Sequence, residues 1–327
     1  MKVTKKMIDK QLRFKGRLID LLLKSSSEEK WVESMVKFKI RSDKSAGKIK
    51  DIEGITCSEM WIPRHNSDSK IRILIYRPAN HHQDLPGVLW IHGGGYAMGN
   101  PEQFVHACTR LIRAKNCVVI APDYRLSVEA KYPAALEDCY DTLLWMKNQA
   151  KELGIRDDQL MVGGESAGGG LTAALTLYAR DKGEVKIAFQ MPLYPMIDNR
   201  NGTESAKDNN APIWNSNYNK WAWKLYLGAL AEDAVPPYAA AARASDYSNL
   251  PPTVTFVGDI EPFRDETIQY VDRLRKAGVS VEFEIYKGCY HGFDIINPNA
   301  EVSKKATAFY INAFKYAVDH YFVKQNV

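Results

Sequence analysis

The amino-acid sequence predicts a doubly wound α/β fold, with about eight strands in a mostly parallel sheet flanked by helices. Three observations lead there. Short apolar runs recur without polar alternation, as strands buried on both faces require. Helix-like segments fall between these runs, and alternation of strand with helix implies a parallel sheet. The chain has 327 residues, enough to bury the core of such a sheet.

Residues 4–24 read as a helix, because Ile8, Leu12, Ile19 and Leu22-Leu23 recur at helical spacing with Lys and Arg between them. Ser25-Ser26-Ser27-Glu28-Glu29 offers a capping box for a second helix over roughly 28–40, with Trp31, Met35 and Phe38 on its apolar side. The polar stretch from Ser42 to Lys50 is expected to be a linker. Residues 55–62 and 70–77 are expected as a half-buried hairpin, since Ile71, Ile73 and Ile75 alternate with polar neighbours. The apolar runs follow: Val88–Ile91, Val118–Ala121, Leu160–Val162, Ile187–Met191, Val254–Val257 and Val281–Tyr286. Helices are expected near 102–115, 133–153, 167–182, 264–277 and 302–322. Residues 197–245 break the rhythm: they hold no strand-like run, but carry Trp214, Trp221, Trp223 and Tyr226. This insertion and the N-terminal segment both read as amphipathic helix and are expected to pack together as a lid.

At 45% hydrophobic and 25% charged residues, the composition is that of a globular protein rather than a disordered one. The net charge of +5 is unevenly spread: residues 1–50 hold 15 Lys+Arg against 6 Asp+Glu, and the remainder is net acidic. A basic arm can serve nucleic acid or an anionic membrane. Here no basic run exceeds two or three residues, and no stacking aromatics interleave it as in single-strand binders. The expectation is a solvated helix face, with no nucleic-acid partner and with membrane association disfavoured; a membrane-surface role for helix 4–24 is the competing reading. The five cysteines (Cys57, Cys108, Cys117, Cys139, Cys289) are odd in number and lack a CxxC pair, so neither a zinc site nor a disulfide framework is expected. Free thiols suit a reducing, cytoplasmic setting. Leu21-Leu22-Leu23 is too short for a signal-peptide core or a bilayer span.

The chemistry is carried by three segments at strand ends. Gly164-Glu165-Ser166-Ala167-Gly168 follows the run Leu160–Val162 and opens a helix. A strand-to-helix turn that sharp needs small neighbours and pushes the Ser166 hydroxyl out at the sheet's carboxyl edge. A phosphate-binding turn fits poorly, because no Lys follows the glycines. His92-Gly93-Gly94-Gly95-Tyr96 follows the run Val88–Ile91, and its bare amides suit a developing oxyanion. Losing one such donor typically costs ~3 kcal/mol of transition-state stabilisation. His291, past the run Val281–Tyr286, is the histidine placed to act as general base for a serine nucleophile. The acid that orients it is expected after Thr253–Val257, where Asp259 and Glu261 both stand. Spacing does not choose between them.

Together these residues resemble the hormone-sensitive-lipase family of α/β-hydrolases, also called the bacterial type IV esterases. The resemblance spans nearly the whole catalytic region. It runs through HGGG with Gly99, Asp123-Tyr124-Arg125-Leu126, Tyr132-Pro133-Ala134-Ala135-Leu136-Glu137-Asp138, GESAGG, Glu261-Pro262-Phe263-Arg264-Asp265-Glu266 and His291-Gly292-Phe293. The family's acid directly precedes a Pro-aliphatic-x-Asp segment, so the resemblance implies a triad of Ser166, Glu261 and His291. The sequence departs from the family's pattern in three places. Glu stands for the more usual Asp at 261 and at 165, and Ser127-Val128-Glu129 lacks a proline. The resemblance also implies an oxyanion hole at the amides of Gly94, Gly95 and Ala167. Its fold is the α/β-hydrolase fold with a helical cap, here divided as 1–48 and 197–245 for the cap and 49–196 with 246–327 for the catalytic domain.

The implied reaction is hydrolysis of a small acyl ester, with a short acyl chain as the expectation, through an acyl-enzyme and without metal or organic cofactor. Tyr96, Trp214 and Tyr218 are the candidate substrate contacts. An amidase or a lysophospholipase would share these residues. Plant gibberellin receptors resemble the family but lack the triad histidine, so His291 argues against a non-catalytic binding protein. Assembly into homo-oligomers is left open by the sequence.

Overall fold

The computed structural model describes residues 1–47, 52–65, 67–80 and 83–326. His81, His82 and the division between residues 48 and 49 therefore lie outside the described residues.

The sheet opens with an antiparallel pair, β1 (Ile55–Arg64) and β2 (Ser67–Pro78). It continues with β3 (Leu85–Ile91), β4 (Val118–Pro122), β5 (Ile155–Glu165), β6 (Phe189–Leu193), β7 (Thr253–Gly258) and β8 (Val281–Tyr286). In space the order is β1-β2-β4-β3-β5-β6-β7-β8. β2 runs antiparallel to β1 and β4, while every pairing from β4 through β8 is parallel. All residues of β3, β4, β6 and β7 are buried, which is why their sequences show no alternation. β8 differs from that expectation. It is an edge strand whose Glu282 and Glu284 fall outside the core.

The helices are α1 (Arg13–Leu23), α2 (Glu28–Ser45), α3 (Val105–Ala114), α4 (Ala134–Asn148), α5 (Ala150–Leu153), α6 (Ala167–Lys182), α7 (Ser216–Leu227), α8 (Arg264–Lys276), α9 (Phe293–Ile296) and α10 (Glu301–His320). Ser27 N-caps α2, its side chain accepting from the Lys30 amide. Lys30 stands at the third helical position, where a capping box needs Glu or Gln, so the cap forms without the expected box. The first helix is shorter than 4–24. Its upstream residues make turns, because the Asp9 amide donates to the Gly288 carbonyl rather than into a helix. α2 runs on to Ser45 through half of the expected linker.

The topology positions the site. β3 lies between β4 and β5, so the chain winds outward from β3 to β4 and then returns across it to β5. That reversal opens a crevice at the carboxyl ends of β3 and β5, where ligands of doubly wound sheets bind. Above it, α2 packs on α7, with the Trp31 and Trp221 rings 6.3 Å apart. The two ends of segment 197–245 pack elsewhere: Ile197, Ala241 and Ala242 cluster with Leu177, Tyr270 and Leu274 of α6 and α8.

Candidate active site

Ser166 sits between the last residue of β5 and the first of α6, at φ 59° and ψ −117°. Such a backbone is strained for a residue with a side chain, and the surroundings hold it there. The Ser166 amide donates to Leu193, and its carbonyl accepts from Gly170 and Met196. The flanking glycines are required by contact rather than by freedom. A Cβ on Gly164 would stand 2.4 Å from the Ile91 carbonyl oxygen, and one on Gly168 only 2.0 Å from it. Ile91 and Gly164 are register partners, so the loop leaving β3 runs beside the turn leaving β5.

That loop is His92-Gly93-Gly94-Gly95. Gly94 (φ 122°) accepts from the amides of Ala97 and Met98, which closes a tight turn. A side chain there would strike the Met98 carbonyl oxygen at 1.9 Å. Tyr124, from the Asp123-Tyr124-Arg125 segment, stacks on the His92 ring at 4.2 Å and donates its hydroxyl to the His92 carbonyl. Burial holds the His92 pKa down to about 4, so this imidazole stays neutral and acts as a strut. Among the described residues, none accepts a hydrogen bond from the amides of Gly94, Gly95 or Ala167.

His291 follows β8 and is turned by Gly292, at φ 67°. Its Nε2 lies 2.7 Å from Ser166 Oγ, and its Nδ1 bonds Oε2 of Glu261. Glu261 is fully buried, and its other oxygen accepts from the Gly258 amide at 2.7 Å. Phe263 and Tyr194 stand edge-on to the imidazole at 4.9 and 5.1 Å, which leaves the ring little room to rotate. Asp259 is used elsewhere: its carboxylate accepts from the Gly288 amide at 2.6 Å, and burial raises its pKa. Of the two carboxylates that spacing left open, Glu261 reaches the histidine. With Nδ1–H given to Glu261, Nε2 is free to accept the serine proton.

A cavity of about 440 Å³ opens over Ser166 and His291. Gly94, Gly95, Trp214 and Tyr218 line it as the sequence suggested. Tyr96 does not. It is 1% exposed, stacks on Tyr226 at 4.0 Å and donates its hydroxyl to the Met196 carbonyl, because a positive φ of 61° turns it beneath the loop. Ala167 is also buried and does not line the cavity. The remaining apolar wall was missed: Leu22 from α1, Trp31 and Met35 from α2, and Ile295 with Ile296 beside the histidine.

Glu165 was also undervalued. It is buried beneath the serine, accepts from the Trp90 indole at 3.2 Å, and faces the buried Asp294. Burial, and then the Asp294 charge, push its pKa up to about 8, so it holds a proton at neutral pH. The signal for this was present, since the carboxyl follows the apolar run Leu160–Val162 and ends the buried stretch 159–165.

The N-terminal segment is fastened to the histidine's own loop. Besides the Asp9–Gly288 bond, the Tyr290 hydroxyl donates to the Leu12 carbonyl, and a Cβ on Gly16 would stand 2.6 Å from the Tyr290 ring.

Comparison with known proteins assigns the family. A model described as alpha/beta hydrolase fold matches residues 88–295. An arylesterase of Saccharolobus solfataricus is 32% identical over 235 residues, or 69% of this chain and 74% of that protein. The carboxylesterase NlhH of Mycobacterium tuberculosis is 30% identical over 226 residues, covering 68% and 71%. Among solved structures, a bacterial heroin esterase superposes with a TM-score of 0.87 at 33% identity, over 97% of this chain and 99% of that one. A hyperthermophilic esterase from the archaeon Pyrobaculum calidifontis does so at 0.81 and 30%, over 94% and 98%. The chain belongs to the α/β-hydrolase family, in its hormone-sensitive-lipase-like, type IV esterase branch.

Proposed function

We propose that this carboxylic ester hydrolase works as a serine esterase on short-chain acyl esters, with Ser166 as nucleophile, His291 as general base and Glu261 as the orienting acid. One observation carries the reading: an unbroken hydrogen-bonded series from Ser166 through His291 to Glu261 stands at the same sheet edge as three unengaged amides. His291 takes the Ser166 proton as Oγ attacks the carbonyl carbon. The amides of Gly94, Gly95 and Ala167 receive the oxyanion. His291 then protonates the departing alcohol, and water repeats the sequence on the acyl-enzyme to release the acid. Glu261 remains ionised throughout and stabilises the imidazolium.

The cavity's volume of about 440 Å³, with Trp214 and Tyr218 in its wall, supports a short acyl chain. The division into a catalytic domain and a cap of α1, α2 and α7 belongs to the same reading. A cytoplasmic setting is supported by the five cysteines, all free thiols. The test is a p-nitrophenyl ester series from acetate to palmitate, run beside Ser166→Ala with organophosphate labelling followed by intact mass. Activity should peak at hexanoate or shorter. The variant should lose both label and turnover, by a factor on the order of 10⁶. A peak on palmitate refutes the chain-length reading, and residual turnover or labelling in the variant refutes the nucleophile.

A further inference from the structure

No described helix is long and apolar enough to cross a membrane. Helix α1 nonetheless presents an apolar face to solvent. Phe14 is 78% exposed, Leu18 47%, Leu21 73% and Leu22 74%. At 100° per residue these four side chains occupy one arc of about 100°. The opposite side of the segment is anchored, with Leu12 fully buried and Gly16 against Tyr290. Cations border the exposed arc on both flanks: Arg17 and Lys24 on one, Lys15 on the other, all exposed. Over residues 1–24 there are eight Lys and Arg against two acidic residues, Asp9 and Asp20, both half-buried. An apolar stripe turned outward between two rows of cations is the pattern of a helix lying in a lipid–water interface.

We infer that α1 docks the enzyme on an anionic bilayer surface. Its apolar arc enters the headgroup boundary and its cations face lipid phosphates. Charge complementarity selects this occupant over a second copy of the chain, whose own α1 would bring a like-charged face. The stripe also runs into the catalytic cavity, because Leu22 and Lys24 line its mouth. Docking would therefore open the cavity toward the interface, where amphiphilic esters concentrate. In the sequence a membrane-surface role for helix 4–24 is the weaker alternative to a solvated face; the exposed arc of α1 is what favours it.

The test needs no turnover, so it stands apart from the esterase reading. The full chain is sedimented with vesicles of phosphatidylcholine containing about one-third phosphatidylglycerol, and with pure phosphatidylcholine vesicles. Binding should be at least about tenfold tighter to the anionic vesicles and should weaken with added salt. The triple variant Phe14→Ser, Leu18→Ser, Leu21→Ser should lose at least about tenfold in vesicle binding. A second variant, Arg17→Gln, should weaken binding to the anionic vesicles alone. Unchanged circular dichroism and thermal melting of both variants report that they are folded. Three results overturn the proposal: no sedimentation with either vesicle, binding undiminished in the triple variant, or a dimer in sedimentation equilibrium that the triple variant dissolves.

Discussion

The floor and the roof of the cavity are built by different means. The floor is made of backbone. Ser166 is held by hydrogen bonds through its own amide and carbonyl, and Gly93, Gly164 and Gly168 let main chain approach main chain closer than any Cβ allows. The roof is made of rings and surface pairs. Tyr218 meets Trp221 at 5.7 Å and accepts from the Ser25 amide, and Glu28 pairs with Lys224 in the open. An exposed pair of that kind contributes under about 1 kcal/mol. The contrast separates the two tasks of the enzyme. The atoms around Ser166 are set by elements that cannot repack, while the cavity's upper wall comes from side chains that can be exchanged.

The sharpest way to break this contrast is at Glu261. Glu261→Gln should lower kcat by about 10⁴-fold, because an amide no longer enforces the tautomer. Asp259→Asn, whose carboxylate accepts from the Gly288 and Cys289 amides rather than from His291, should stay within about tenfold. Steady-state rates on p-nitrophenyl acetate decide it, and the reverse order would move the acid. Next comes Gly94→Ala. It adds an atom 1.9 Å from the Met98 oxygen at a φ of 122°, so the loop must shift and kcat should fall by about 10²- to 10³-fold with little change in KM. An unaffected kcat would show that the loop is not where the oxyanion forms.

In the roof, Trp214→Ala should change acetate turnover by less than about tenfold while raising kcat/KM for octanoate relative to acetate. A collapse of kcat on every ester would place Trp214 with the floor instead. The smallest effect on activity is expected from Glu165→Gln, read as stability against pH. The folded protein keeps this carboxyl protonated up to about 8, whereas the unfolded chain releases the proton near the ordinary 4.5. Ionisation therefore favours unfolding, and stability falls as pH rises from about 4.5 to about 8. Gln carries no such proton, so its Tm should decline less than wild type between pH 5 and pH 8. Equal declines would mean that Glu165 is not what titrates.

The same division explains what could be read from the sequence. The eight strands, the turn at Ser166, the glycine loop and His291 were legible because backbone-built features need particular residues at particular chain positions. Glycine where main chains touch is one such demand, and an apolar run where a strand is buried on both faces is another. The roof wall was not legible. Leu22, Met35 and Ile296 become neighbours only through tertiary packing, and nothing local marks them as lining a cavity. Tyr96 shows the same limit at one residue, since a loop has no periodicity to say which way a ring points. The start of α1 escaped for a related reason. Helical spacing from Ile8 was genuine, but a bond to Gly288 took the Asp9 amide.

Tyr290 links two things that the primary structure keeps almost three hundred residues apart. Its hydroxyl holds the carbonyl of Leu12, and its backbone continues directly into His291. The amino-terminal segment is thus a brace on the loop of His291 as well as a piece of wall. Deleting it should cripple turnover of even the smallest substrate, and a surface that gripped this segment would be pulling on the imidazole's mooring.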